Sequence, residues 1–214
     1  MGTFLNEAAS TEILLEAGVP MGLSKIVQSV DEARAAGTAI GGTLVLKVLS
    51  PDILHKSDAG CVFVGVEAAC SGEVFEKIME NARAYDAEAR IDGVLIRSLL
   101  PQGLELFVGL KRDPQFGPVV VAGMGGIYLE VFKDCAMRLA PVDAVQALDM
   151  VKELKAYQVI TGARGVTYDV QALVDAIVKV SQLGLREDIL ELDINPFFLY
   201  QQGGVGADAL VQIK

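Results

Sequence analysis

The sequence predicts an α+β protein, and three observations carry that expectation. Short β-branched and leucine-rich runs are interleaved with segments of helical periodicity. Two of the runs, GVLIRSL and LELFVGL, are strands separated by the turn signal PQG, and hairpin-like pairs beside crossovers indicate α+β rather than a doubly wound sheet. The chain has 214 residues, 52% of them hydrophobic, enough to bury one substantial core or two small lobes with a cleft between them. Its 22 glycines fall at element ends and in short clusters, so neither a flexible linker nor an internal repeat stands out.

The elements follow in order. Residues 4–17 read as a helix, closed by Gly18 and kept from resuming by Pro20. Ser29 and Glu32 form a capping box that opens a second helix. TLVLKVL at 43–49 and CVFVGV at 61–66 read as strands, and 72–90 as an amphipathic helix carrying Val74, Phe75, Ile78, Met79, Ala82 and Tyr85 on one face. Strands follow at 93–99, 104–110 and 118–123, then helices at 142–156 and 169–183, then three strands, ILELDI, FFLY and ALVQI.

Charge and cysteine usage exclude some classes of function. With 18 basic against 28 acidic residues, the net charge is −10, and such a surface repels nucleic-acid backbones. The N-terminus lacks a basic segment followed by an apolar core, and no apolar run approaches the length of a membrane span, so the expected location is the cytoplasm. Cys61, Cys70 and Cys135 have no metal-ligand spacing, and their odd number argues against a disulfide framework; Cys70 and Cys135 are expected to be small buried hydrophobes.

Several residues could carry chemistry. Lys47 interrupts an apolar strand, which fits either an edge strand with the lysine in water or a cleft where the ammonium holds a phosphate. GMGG at 123–126 follows a strand, where glycines let backbone N–H groups approach phosphate oxygens, although it matches no dinucleotide fingerprint or P-loop. In ELDINP, Glu191, Asp193 and Asn195 alternate along a strand and share a face. That face suits a hard cation such as Mg²⁺, or is simply the solvent face of a half-buried strand; Asp208 reaches the same place if the last strands pair. His55, in HKSD, is the sole histidine of the chain.

KVLSPDILHKSDAGCVFVGV, GLELFVGLKRDPQFGPVVVAGMGGIYLEVFKDCAMRLAPVD, TGARG and ELDINP, in this order and spacing, resemble the ATP-grasp (β) subunit of ADP-forming (NDP-forming) acyl-CoA synthetases, relatives of succinyl-CoA synthetase. The resemblance spans essentially the whole chain. It implies an ATP-grasp fold of two α+β lobes with the nucleotide site between them, at 1–97 and 98–214, residues 1–20 being able to pack on the other lobe.

It also implies roles. Lys47 corresponds to the lysine on the ATP phosphates, and Glu105 to a nucleoside contact that can accept from both ribose hydroxyls. Ser98 and Leu99 would present backbone groups to the adenine edge. Gly123, Gly125 and Gly126 would line the phosphate region, and Arg164 of GARG would steady a phosphate. Asn195 and Asp208 match Mg²⁺ ligands, and Asp193 an acidic position facing a phosphohistidine. His55 matches a second phosphate carrier serving a histidine on a CoA-binding α subunit, which is either a separate chain or a fused domain.

The reaction implied is acyl-CoA + ADP + phosphate ⇌ carboxylic acid + ATP + CoA, with GTP an alternative nucleotide and an α₂β₂ heterotetramer the expected assembly. One departure stands out, since the family reads H-K-S-D-x-G-G-V and this chain has Cys61 after Gly60. A non-catalytic, regulatory nucleotide-binding module is therefore the second reading. An ATP-grasp ligase acting without phosphohistidine fits the HKSD and QFGP blocks less well.

Overall fold

The computed structural model describes residues 2–50, 52–53, 55–125, 134–163 and 165–214. The chain divides into two compact units, Met1–Met21 with Gln102–Lys214, and Gly22–Pro101. The division falls slightly beyond the 97/98 position read from the sequence. Backbone bonds explain this, since the N–H of Ser98 donates to the Leu23 carbonyl and that of Leu99 to the Thr43 carbonyl.

The larger unit contains β1 (Thr3–Phe4), α1 (Glu7–Glu16), β6 (Leu104–Asp113), β7 (Gly117–Met124), β8 (Cys135–Leu139), α4 (Ala144–Glu153), α5 (Tyr157–Ile160), α6 (Val170–Gln182), β9 (Ile189–Leu199), β10 (Gly204–Gly206) and β11 (Ala209–Ile213). Its sheet runs β1-β11-β9-β6-β7-β8, with β10 also on β9, and every pair is antiparallel. Helices α1, α4 and α6 bury one face of this sheet around Leu14, Met150, Leu173, Ile177, Leu192 and Ile194. Asp143 and Gln146 cap α4 reciprocally, and Asp169 caps α6.

The smaller unit contains β2 (Ser24–Val27), α2 (Val30–Ile40), β3 (Thr43–Leu49), β4 (Val62–Glu67), α3 (Ser71–Tyr85) and β5 (Gly93–Ser98). The strands form an antiparallel sheet in the order β2-β5-β3-β4. Leu44, Leu46 and Val48 of β3 and Val94 and Ile96 of β5 pack with Ala33, Phe75 and Ile78 into a second core. Alternation along β3 then turns Val45 and Lys47 to the opposite face.

Several expectations are corrected. The first helix begins at Glu7, because Asn6 caps it by accepting the N–H of Ala9, and Thr3–Phe4 pair with β11 as a strand. Helix α3 stops at Tyr85, five residues short of the expected end at 90, and Tyr85 and Val145 are exposed. ILELDI and FFLY are one strand, β9, which continues through Pro196. Among the cysteines, Cys61 is the buried one, Cys70 is half-buried, and Cys135 is exposed because it stands on the uncovered face of edge strand β8. Among the described residues, no helix is long and apolar enough to cross a membrane.

Candidate functional site

Strand β9 carries the polar face of the larger unit. Leu192 and Ile194 are buried while Glu191, Asp193 and Asn195 alternate with them on the open face. The ladder to β6 then shifts: Ile194 stands opposite Val108 and Phe197 opposite Leu106, so Asn195 and Pro196 together oppose the single residue Phe107. Two residues against one is a β-bulge, and it reverses the inward parity, so Phe197 and Leu199 become the buried positions. Pro196 is tolerated here because the bulge requires no ladder donor from it.

The bulge brings Asn195 beside Asp208. The N–H of Asn195 donates to the Asp208 carbonyl at 3.3 Å, and that of Ala207 to the Pro196 carbonyl at 2.9 Å. One carboxylate oxygen of Asp208 accepts the N–H of Ala209 at 2.9 Å. Asp193, Asn195 and Asp208 line one cavity of about 350 Å³ together with Glu7, Ala209 and Leu210. Glu7, at the first turn of α1, was not singled out from the sequence; it lies about 190 residues from its neighbours in the chain, and the pairing of β1 and the packing of α1 on β11 bring it there.

Burial pushes the Asp193 carboxyl above its ordinary value, and the charges of Glu191 and Asp208 add to the effect. The donors around this cavity are oxygens of carboxylates and an amide, a set that fits a hard cation such as Mg²⁺. Among the described residues, no group of three or more His, Cys, Asp or Glu is arranged to hold a metal ion by itself. Mg²⁺ commonly binds through one or two carboxylates and completes its shell with water and substrate phosphates, so a site for it does not require such a group.

A smaller groove of about 240 Å³ continues along the same face past Asp193, between Phe4 and Leu210 on one side and Gly109 and Val121 on the other. Gly109 pairs with Asp193 across the ladder and keeps its floor low. Glu105 is exposed on β6, and its carbonyl accepts the N–H of Gly125 at 2.9 Å. Gly123 is inside β7, where a Cβ would strike the Asp134 carbonyl and stand 2.8 Å from the Phe107 ring. Gly123 therefore has a packing reason to be glycine, and the Gly125 N–H is already used within the sheet. Gly126 and Arg164 lie outside the described residues.

In the smaller unit, Lys47 pairs with Leu95, and Arg97 with Val45 one step along the same face of the sheet. The face away from the helices thus carries two half-buried cations, of which Arg97 was not singled out from the sequence. The N–H groups of Ser98 and Leu99 are taken by carbonyls of the same unit, so a purine edge would have to meet their carbonyls or side chains.

His55 is exposed at the head of a turn over residues 56–60. The turn is built on buried Ile53, Ala59 and Cys61. Its left-handed residue is Gly60, with φ +63°. Cys61 is in the core, its thiol directed at the carbonyls of Ala59 and Ile78, and burial pushes the thiol up.

Comparison with known proteins decides the family. A model described as the ATP-grasp domain matches residues 1–213. The chain belongs to the ATP-grasp family. Within it, the chain is 43% identical over 208 residues to the β subunit of acetate–CoA ligase [ADP-forming] I of Pyrococcus furiosus, covering 96% of this chain and 90% of that one. It is also 43% identical over 193 residues to acetate–CoA ligase [ADP-forming] I of Archaeoglobus fulgidus, but that match covers 89% of this chain and only 28% of the longer relative.

The ATP-grasp fold is shared with the dinucleotide-forming acetyl-coenzyme A synthetase 1 of Ca. Korarchaeum cryptofilum, at a TM-score of 0.84 and 34% identity over 99% of this chain and 93% of that one. That structure holds coenzyme A and Mg-AMPPCP, with a phosphohistidine segment pointing towards its nucleotide-binding site. The chain is thus an ATP-grasp homologue of the β subunits of ADP-forming acetate–CoA ligases.

Proposed function

We propose that the chain is the nucleotide-binding subunit of an ADP-forming acid–thiol ligase, in which it passes phosphate between Mg-bound ATP or ADP and histidine. The observation that carries this reading is the bulge in β9, which gathers Asp193, Asn195 and Asp208 around one cavity of the large sheet. In this reading Lys47 holds a nucleotide phosphate as a point charge and Glu105 accepts from the ribose hydroxyls. Asn195 and Asp208 hold Mg²⁺, which when bound offsets the charge of the phosphates.

His55 does the covalent work. The lone pair of its neutral imidazole forms an N–P bond to the terminal phosphorus of ATP while the bond to the ADP oxygen breaks, and the steps reverse when ADP is the acceptor. In this reading Asp193 occupies the acidic position that faces a phosphohistidine. Its elevated pKa suits a carboxyl that accepts a hydrogen bond from an imidazole N–H and takes up part of its proton's charge.

The chain accounts for 28% of a relative whose name covers the whole acetate–CoA ligase reaction, which supports a CoA-binding partner carrying the second histidine and the acid pocket. An α₂β₂ assembly in the cytoplasm follows from the same reading, and GTP remains an alternative to ATP. The reading of a non-catalytic module rested on Cys61, and the structure weakens that basis. Cys61 fills core space, while the backbone conformation that demands glycine is supplied by Gly60.

The test is phosphate trapping. Incubation with γ-labelled ATP and Mg²⁺ should give an acid-labile, base-stable label that is absent in His55→Ala. Addition of the CoA-binding partner should then give nucleotide-dependent acyl-CoA formation from short organic acids. A chain that binds ATP tightly yet never takes up label would return the regulatory reading.

A further inference from the structure

We propose that Asn81, on helix α3, is a positioning residue that fixes the turn bearing His55. The proposal rests on the reading of His55 as a phosphate carrier. The turn is a closed set of backbone bonds. The N–H of Ala59 donates to the His55 carbonyl at 3.1 Å, that of Gly60 to Ser57 at 3.0 Å, and that of Cys61 to Lys56 at 2.8 Å. With φ +63°, Gly60 leaves its carbonyl directed at α3, and the Asn81 side-chain amide donates to it at 2.7 Å.

Asn81 is one residue from Ala82 and three from Ile78, both fully buried on the inner face of α3. An apolar residue would serve this helix position as filler, and asparagine is a poorer helix former than leucine or alanine. Its donor is nevertheless spent on the loop. The amide also fits closely, because a Cβ on Gly60 would stand 3.1 Å from its nitrogen.

From Asn81 the path to the histidine is short, passing through Gly60 to Ala59 and then to the His55 carbonyl. Buried Ile53, Ala59 and Cys61 hold the base of the loop. Ser50 adds a second polar anchor, its hydroxyl accepting the N–H groups of Asp52 at 3.1 Å and Ile53 at 3.2 Å. The Asn81 bond holds the Gly60 end of the turn to α3, beside the weaker contact of the Cys61 thiol with the Ile78 carbonyl. The structure therefore assigns Asn81 to the orientation of the phosphate-carrying imidazole, with no contact of its own to the reacting atoms.

The experiment compares full-length wild type, Asn81→Ala and the equally sized Asn81→Asp, with His55→Ala as the control. Single-turnover labelling from γ-labelled ATP, Mg-ATP affinity and thermal stability are measured for each. Both Asn81 variants should label roughly 10- to 100-fold more slowly, because small misplacement of a reacting group costs about that much. Mg-ATP affinity should stay within about twofold, since a purely positional loss affects the chemical step and not ground-state binding.

If wild type takes up no label that depends on His55, the phosphate-carrier reading falls and the inference falls with it. If wild type labels and both Asn81 variants label at the same rate, the inference alone is overturned. Parallel loss of ATP affinity and labelling, or failure of Asn81→Asp to fold, would make Asn81 a general structural residue and overturn it as well.

Discussion

Asp193 is held where its surroundings oppose its charge, since burial is the largest cause of its raised pKa and the charges of Glu191 and Asp208 follow. The sign of the consequence follows from proton linkage. A carboxyl with a folded pKa above its unfolded value binds more protons in the folded state, so stability falls as pH rises between the two values. Above that window the penalty is fully present. Asp193→Asn should therefore raise stability at pH 7.5, by about 1 kcal/mol or a Tm gain of about 2–4 °C, kept this small because the group is partly open to water. The gain should shrink as pH falls towards the ordinary aspartate value and vanish well below about pH 4, where wild-type Asp193 is protonated in both states. The same variant should lose phosphate exchange. Thermal melts across this pH range, beside the labelling assay, would show whether stability has been traded for function at this residue.

At the scale of elements, helix α6 shows how one side chain organises two segments. One oxygen of Asp169 accepts the N–H of Ala172 at 3.1 Å as an N-cap, and the other accepts that of Gly203 at 2.8 Å in the turn between β9 and β10. These bonds to Gly203 and Ala172 hold its carboxyl below the usual range. Such a group contributes stability that is present above its unfolded pKa and is lost as pH falls through the folded one. Asp169→Ala should cost about 1–2 kcal/mol at neutral pH, and the gap to wild type should narrow in acid below about pH 4, as chemical denaturation at several pH values would record. Neither bond pair could be placed from the sequence beyond the cap itself, because Gly203 comes 34 residues later.

Strand β9 shows the same division between what is legible and what is not. The alternation of Glu191, Asp193 and Asn195 was readable, because period two is a local property. The continuation through Pro196 was not, since proline ordinarily ends a strand and the bulge that accommodates it exists only against Phe107 of β6. Strands β1, β2, β8 and β10 were missed for a related reason: they have two to five residues, too few to show a period, and are defined by their partners. Glu7 and Asn81 were missed because each is an ordinary polar residue on a helix until the fold sets it beside Asp208 or Gly60.

The molecule as a whole is two folded units on one chain, and the chain passes between them twice, after Met21 and after Pro101. The cores are correspondingly separate. Ile53, Phe75, Ile78, Val94 and Ile96 belong to a cluster whose every member falls within 22–101, and strands β2 to β5 find all their ladder partners there. The larger unit instead recruits the first 21 residues, with β1 closing its sheet beside β11 and Ser10 accepting the N–H of Val211 at 3.1 Å. Residues 22–101 expressed alone should therefore fold. A segment of this size buries enough of its surface to be stable by itself, although marginally. Expected are dispersed amide resonances and a single cooperative melt below that of the full chain. Residues 102–214 alone lack α1, β1 and Ser10 and should be unfolded or aggregated, and restoring 1–21 through a short link replacing 22–101 should recover the fold. A disordered 22–101 fragment, or a 102–214 fragment that melts like the full chain, would show that the two cores are not independent in this way.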